Sequence, residues 1–261
     1  HELTPMFEKQ AIPMLQAMGV LSDEEAYIQL RTCGSGESTV EETMQPIVRE
    51  HPDLTVAYCV HYGIVDVRLS SRDRALDREQ LKAIAHEARL LLGEDFVCFG
   101  HCSLAGVVFH ELRALDRTLA IAESCTGGGL GSELTAIPGS SDVLLGGVIA
   151  YSNAVKEHLL GVSAELLEQF GAVSDPVAQA MAKGARHLTG SDWSMAVTGI
   201  AGPGGGSAEK PVGLVYIAVA GPDGCFSQPI RLGETRGRDW VRTVSVGEAL
   251  NRLRLRLMKA G

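Results

Sequence analysis

Three segments of this 261-residue chain concentrate side chains able to do chemistry. In Glu123-Ser124-Cys125-Thr126-Gly127-Gly128-Gly129, a short apolar run from Thr118 to Ala122 passes directly into a predicted helix. The turn between them offers two hydroxyls, a thiol and a row of unblocked backbone N–H groups. The N-terminus of a helix stabilises an anion, either a bound phosphate or the oxyanion of a carbonyl under attack. The plainer reading of the same turn is a Ser/Thr N-cap followed by flexible glycines. No Gly-Lys-Ser/Thr follows at the spacing of a nucleotide-triphosphate loop.

The second segment, Tyr151-Ser152-Asn153-Ala154-Val155-Lys156, follows the apolar run Val143 to Tyr151. A lysine just beyond a strand end can place its amine, and the neighbouring tyrosine its phenol, beside one pocket. Partial desolvation would then shift either pKa and make the group a base for a serine hydroxyl. Taken alone, Lys156 reads more readily as a solvated residue on a helix surface than as a base. The third segment, Thr198-Gly199-Ile200-Ala201-Gly202-Pro203-Gly204-Gly205-Gly206-Ser207, holds five glycines in eight residues after the buried run Ser194 to Val197. Such a loop can wrap backbone amides round a ligand, or simply be a surface loop. Three polar, glycine-rich loops after three buried runs point to one pocket at one edge of an α/β sheet.

The elements that position these loops follow from periodicity. Helical spacing in Met6 to Met18, broken by Pro13, gives a short lead-in. A β-like segment from Ala26 to Arg31 is followed by a helix carrying Val40, Met44, Ile47 and Val48. Next come two β-rich runs, Thr55 to Tyr62 and Ile64 to Leu69, split by Gly63 as a hairpin. A helix through Leu81 to Leu92 ends on Gly93, and a strand at Phe96 to Phe99 and a helix from Leu104 to Leu115 complete the first half. After Asp116 the pattern changes to buried runs alternating with glycine loops and helices, including Pro176 to Leu188. A hairpin across Gly221 to Gly224 and a long helix from Asp239 to Met258 close the chain. The expected fold class is α+β: a small α/β module, then a larger layered α/β domain on a mixed sheet. The expected divisions are residues 1–20, 21–116 and 117–261.

Composition narrows the function classes. The formal charge is −9, with 45% hydrophobic and 21% charged residues, which is ordinary globular composition. The acidic balance disfavours duplex nucleic acid and anionic membranes as partners, though one pocket can still hold one phosphate. Of the 30 glycines, 23 follow Asp116, where the candidate loops lie. Six cysteines occur without a Cys-x-x-Cys pair, and no secretory pattern opens the chain, so reduced thiols and a cytoplasmic location are expected. Cys98, His101 and Cys102 lack a second ligand pair, so no metal is expected. No apolar stretch is long enough to span a bilayer.

At these same blocks the sequence resembles a known family. Ala122 to Gly128, Tyr151-Ser152-Asn153 with Lys156, Gly171-Ala172-Val173-Ser174, Met181-Ala182 and Thr198 to Gly205 are similar to the C-terminal nicotinamide-nucleotide amidase domain of CinA proteins. The first half resembles the KH-like middle module of those proteins, through Gly34-x-Gly36-Glu37-Ser38, and the lead-in resembles the end of a preceding nucleotide-processing domain. The resemblance implies hydrolysis of nicotinamide mononucleotide to nicotinate mononucleotide and ammonia, without a cofactor, by a homodimeric enzyme of pyridine-nucleotide salvage. It implies Ser124 as nucleophile, with Tyr151 and Lys156 positioning it or taking its proton, the base being Lys156, Tyr151 or a substrate group. Contacts to the mononucleotide would come from Cys125, Thr126, Gly127, Gly128, Asn153, Thr198, Gly199, Gly202, Gly204, Gly205 and Arg238, with amides near Thr126 to Gly128 facing the oxyanion. One departure is Gly237, which stands where the family carries an acid before the Arg238 and Arg242 pair. The alternative is a pocket that binds a nucleotide without turnover, in a protein that acts by interaction during competence or DNA-damage responses. No Gly-x-x-Gly loop with basic flanks occurs in the first half, and Glu37, Glu41 and Glu42 follow Gly36, so a nucleic-acid clamp is not expected there.

Overall fold

The computed structural model describes residues 3–18 and 27–260; the expected start of the first module at residue 21 and the strand residue Ala26 lie outside them. Leu3 to Ala17 is helical. The first module runs β1 (Ile28–Cys33), α1 (Glu37–Glu50), β2 (Leu54–His61), β3 (Ile64–Ser71), α2 (Arg78–Leu92) and β4 (Phe96–Phe99). Its four strands form an antiparallel sheet in the order β2-β3-β1-β4. The β2–β3 turn puts Tyr62 at φ +35° and Gly63 at φ +84°, the two left-handed residues that a two-residue hairpin requires. Leu30, Val67, Leu69, Met44 and Ala88 are fully buried between this sheet and the two helices.

The second domain comprises β5 (Leu119–Glu123), α4 (Gly129–Thr135), β6 (Leu144–Ile149), α5 (Asn153–Leu160), α6 (Ala164–Phe170), α7 (Asp175–Thr189), β7 (Trp193–Gly199), β8 (Leu214–Gly221), β9 (Gly224–Arg231) and α8 (Arg238–Ala260), preceded by α3 (Leu104–Ala114). The sheet order is β6-β5-β7-β8-β9, with β5 parallel to β6 and β7, and β8 and β9 antiparallel. This is the mixed, layered sheet that the buried runs predict.

Alternation along the strands separates the two faces. Leu119, Ile121, Met195, Val197, Val215 and Ile217 pack under α3, α4 and α8. Ala120, Ala122, Ala196 and Ala218 face the other way, onto α5, α6 and α7. Small residues on that second face let α7 lie close to the sheet through Ala178, Ala182 and Ala185. The helix α3 shares the second core through Leu104, Val108 and Leu112, although the change of pattern after Asp116 assigned it to the first half. Its apolar stripe has the same period in either case, and only three-dimensional packing decides which sheet receives it.

A second difference concerns the cysteines. Cys98 and Cys102 form a disulfide, where reduced thiols were expected. The chain leaves β4 at Phe99, turns at Gly100 with φ +71° and re-enters a helix at Leu104, which brings the two Cα atoms to 6.6 Å. Cys33, Cys59, Cys125 and Cys225 are free.

Two local devices fix the elements that carry the candidate site. Gly184 of α7 faces the end of α5, where an added Cβ would collide with the Leu160 carbonyl. At the end of β5, Glu123 is 1% exposed, and its carboxylate accepts from the amides of Gly128 (3.0 Å), Leu130 (3.0 Å) and Gly131 (2.8 Å). The negative charge therefore sits on the positive N-terminus of α4 and ties the turn to the strand. Gly184→Ala is expected to cost about 2 kcal/mol through overpacking, despite the better helix propensity of alanine. Glu123→Ala orphans three amides and is expected to cost about 3 kcal/mol. Denaturant unfolding checks both, and an unchanged midpoint in either variant contradicts the corresponding packing.

Candidate active site at the carboxyl ends of the parallel strands

Ser124 follows β5, Tyr151 lies two residues beyond β6, and Thr198 is the penultimate residue of β7, so all three loops gather at one sheet edge. Pairing extends past the strands, since the Ser124 amide donates to the Val197 carbonyl (2.9 Å) and the Ala150 amide to the Glu123 carbonyl (2.7 Å). Open α/β sheets place their ligand crevice at this edge.

Lys156 sits in the second turn of α5, a helix whose N-cap Ser152 accepts from the Val155 amide at 3.3 Å. Its side chain turns inward and is 1% exposed, so the solvated-surface reading does not hold. The Nζ atom donates to the Ala150 carbonyl at 2.7 Å and lies 3.3 Å from the Ser124 hydroxyl oxygen. Burial lowers the lysine pKa, against a smaller upward pull from Cys125. Among the described residues no carboxylate pairs with this amine. A desolvated amine without a counter-ion favours the neutral form, which can accept a proton.

Tyr151 is 62% exposed, and its hydroxyl accepts from Arg238 Nη2 at 3.0 Å. The other terminal nitrogen of Arg238 donates to the Gly202 carbonyl at 2.9 Å. One turn further along α8, Arg242 donates to the Thr126 carbonyl at 2.9 Å. The first two turns of α8 thus hold all three loops, and Gly237 in place of an acid leaves this pair of arginine contacts intact.

The remaining expected residues divide by their surroundings. Cys125 is 6% exposed and packs in the second domain's core, and burial pushes its thiol up to about 12, which disfavours the thiolate. The Thr198 hydroxyl is buried and donates to the Ala172 carbonyl at 2.8 Å, so it anchors the loop before α7. Gly199 is required by close packing, since a Cβ there would lie 2.6 Å from Val215 Cγ2. Asn153, Gly204 and Gly205 are exposed, at the start of α5 and on the β7–β8 loop respectively.

The expected row of anion-binding amides is shorter than the sequence suggests. The Gly127 amide donates to the Ser124 carbonyl (3.2 Å) and the Gly128 amide to Glu123, leaving those of Cys125 and Thr126 without an acceptor among the described residues. Glu123 was not singled out, although an acid directly ahead of a glycine-rich helix start is the signal that would have found it. Of the residues considered as metal ligands, Cys98 and Cys102 are consumed by the disulfide. A separate group, exposed Glu50 and Glu87 with half-buried His51, has ligand atoms within 4.8 Å of one another on the first module. Among the described residues no helix is long and apolar enough to cross a membrane.

Comparison with known proteins matches both parts. The CinA C-terminal domain matches residues 101–257, and the KH domain of damage-inducible protein CinA matches residues 29–97. A CinA-like protein of Synechococcus sp. strain RCC307 is 50% identical over 260 residues, which cover 98% of this chain and 62% of that protein. The CinA-like protein of Synechococcus elongatus strain PCC 7942 is 45% identical over 262 residues, covering 98% and 61%. This chain therefore spans less than two thirds of the relatives it matches. Among solved structures, the competence/damage-inducible protein CihA of Agrobacterium tumefaciens is 44% identical with a TM-score of 0.56, over 57% of this chain and 91% of its own. A CinA superfamily protein of Klebsiella pneumoniae is 33% identical with a TM-score of 0.57, over 60% and 96%. With both domain models matching in order and half the residues identical to a relative aligned over 98% of this chain, the chain belongs to the CinA family.

Proposed function

We propose that this chain hydrolyses the carboxamide of nicotinamide mononucleotide to nicotinate mononucleotide and ammonia, through an acyl-enzyme on Ser124. The observation that carries the reading is the buried Lys156 amine 3.3 Å from the Ser124 hydroxyl, at the carboxyl edge of the parallel strands. The family resemblance supplies the substrate. A nucleotide-binding pocket without turnover has no use for a desolvated amine aimed at a serine.

Neutral Lys156 takes the Ser124 proton as Oγ bonds to the carboxamide carbon. The tetrahedral oxyanion lies against the amides of Cys125 and Thr126, the two in the turn that remain open. The protonated lysine then returns its proton to the departing nitrogen, the C–N bond breaks, and ammonia leaves. Water, deprotonated by the same amine, adds to the ester and releases the carboxylic acid, restoring the Ser124 hydroxyl. Arg238, on the exposed rim between Tyr151 and Gly202, is placed to meet the substrate phosphate. Tyr151 acts through Arg238, because its hydroxyl is held there and not at Ser124.

Ser124→Ala and Lys156→Met are each expected to lower ammonia release from nicotinamide mononucleotide by about 1000-fold, and the double variant by little more, since the pair acts as a unit. Lys156→Met should unfold no earlier than the parent, because it removes a buried polar group whose cost burial already imposes. Full release by Ser124→Ala overturns the nucleophile assignment. Tyr151→Phe should raise KM more than it lowers kcat; a collapse of kcat with unchanged KM would make Tyr151 the base. In pH profiles, kcat/KM should climb as Lys156 loses its proton and then level, with the midpoint below the usual lysine value of about 10.4. A profile that is flat through that range counts against the amine as base.

A further inference from the structure

The link between the two modules carries a covalent tie that the proposed reaction does not use. Cys98 is the penultimate residue of β4 and pairs with Arg31 in the first sheet, while Cys102 stands directly before Ser103, the N-cap of α3. Cys102 packs against the core beneath the second sheet. Their disulfide therefore ties a strand of one module to the core of the other, round a link made of Phe99, Gly100 and His101. The other four cysteines are free, and two of them, Cys33 and Cys125, are buried in that same core.

Three features make this bond exchangeable and not a staple on which folding depends. Cys98 and Cys102 are half-buried, and Phe99, His101 and Ser103 around them are exposed, so the segment is open to an external thiol. The two cysteines are only four apart in sequence, and the restriction that a disulfide places on the unfolded chain falls with loop length, so the fold gains little from so short a closure. Each sheet also has a hydrophobic core of its own.

Strand β1 holds the link on both sides of the bond. The Gly100 amide donates to the Gln29 carbonyl at 2.7 Å, Gln29 Nε2 donates to the Gly100 carbonyl at 3.3 Å, and Arg31 donates to the Cys102 carbonyl. Arg31 is itself fixed by two nitrogens on buried Asp66, at 2.7 Å each. This template keeps the sulfurs near each other once the bond is broken, so the pair can close again. The hydrogen bonds lie in a partly solvated segment, and without the covalent tie they are the part of the junction that opens most cheaply.

We propose that Cys98 and Cys102 form a reversible thiol–disulfide site whose co-reactant is a dithiol, and that its oxidised form clamps the link between the modules. A thiolate of the dithiol bonds to Cys98 Sγ, the bond between the two cysteines breaks, and its electron pair leaves on Cys102 Sγ, beside the N-terminus of α3, which favours a thiolate. The second thiol of the reagent then attacks the reagent's own bound sulfur and releases Cys98. Two electrons and two protons thus pass to the protein, and the dithiol becomes a disulfide. The test treats the folded, air-oxidised chain with dithiothreitol in the absence of denaturant, then unfolds it and counts alkylated cysteines by mass. Four should be labelled before reduction and six after it, the new labels falling on Cys98 and Cys102, and excess glutathione disulfide should rejoin that pair. Hydrogen exchange at the Gly100, Gly106 and Val107 amides, all bonded in the oxidised form, should be at least about tenfold faster in the reduced chain and in Cys98→Ser, with the β7 amides unchanged. The reduced parent keeps the test decisive if Cys98→Ser does not fold. A bond that resists dithiothreitol until the chain is unfolded, a pair that stays open in excess glutathione disulfide, or equal exchange in the two forms would each overturn the proposal. None of these readouts depends on ammonia release, so they stand or fall apart from the reading of Ser124.

Discussion

The burial of one amine governs the architecture of the second domain. Lys156 is 1% exposed, and among the described residues its amine hydrogen-bonds only two neutral oxygens, the Ala150 carbonyl and the Ser124 hydroxyl. An ammonium in that position would lack the counter-charge that normally offsets desolvation, so the environment shifts the group towards the free amine. Such an arrangement survives only if the surrounding structure leaves the side chain no route to water. The parallel strands β5 and β6 supply the floor, and α5 is held at both ends, by Ser152 at its start and by a left-handed Gly161 at its close. The alanine face of the sheet and Gly184 allow α7 to press α5 into place.

The nucleophile is held from the opposite direction. Glu123 draws the start of α4 onto the end of β5, which fixes the turn that carries Ser124. The same carboxylate consumes the Gly128 amide, so rigidity of the turn and breadth of anion binding are in competition. The structure resolves that competition towards rigidity, leaving two adjacent amides open beside the serine. Arg238 and Arg242 then donate to two loop carbonyls and the Tyr151 hydroxyl, on three different connections, so positive charge is concentrated on one helix end of a protein whose formal charge is −9. Overall acidity and a local anion site coexist because fixed donors act over a few ångströms while the distant charges are screened.

Much of this was legible in the chain because the relevant signals are local. The strand-to-helix turn at Ser124, the buried runs, the hairpin at Gly63 and the capped α2 each depend on residues within a few positions of one another. The two helices α5 and α6 are only 8 and 7 residues long, about two turns, and too short for a hydrophobic period to stand out. Lys156 could be read as solvated on a helix surface because its inward direction is set by which face of α5 meets the sheet, which so short a stretch does not announce. The glycine-rich loop at Gly199 to Gly206 misled differently. Gly199, Gly202 and Gly206 each lie where a Cβ would come within 3 Å of Val212 or Val215, so close packing accounts for glycines that composition attributes to ligand approach. Packing partners far apart in sequence leave no local trace.

The first module is fixed to the same helix that closes the site. Arg254 of α8 is 3% exposed and donates to the Phe96 carbonyl at 2.9 Å and the Glu94 carbonyl at 2.6 Å, while Asn251 accepts from it on the helix itself. Those carbonyls end α2 and open β4, so a buried guanidinium joins the two modules by satisfying main-chain groups that would otherwise be orphaned. The linker is held as well: β1 contributes Gln29 to the Gly100 carbonyl and Arg31 to that of Cys102, next to the disulfide. The helix α8 therefore carries two arginine systems, Arg238 with Arg242 at the three loops near its start and buried Arg254 at the first module, with Arg242 and Arg254 about three turns apart. A rigid helix with both ends pinned transmits displacement and does not absorb it. The position of the first module and the geometry of the Ser124 turn are consequently set by one element.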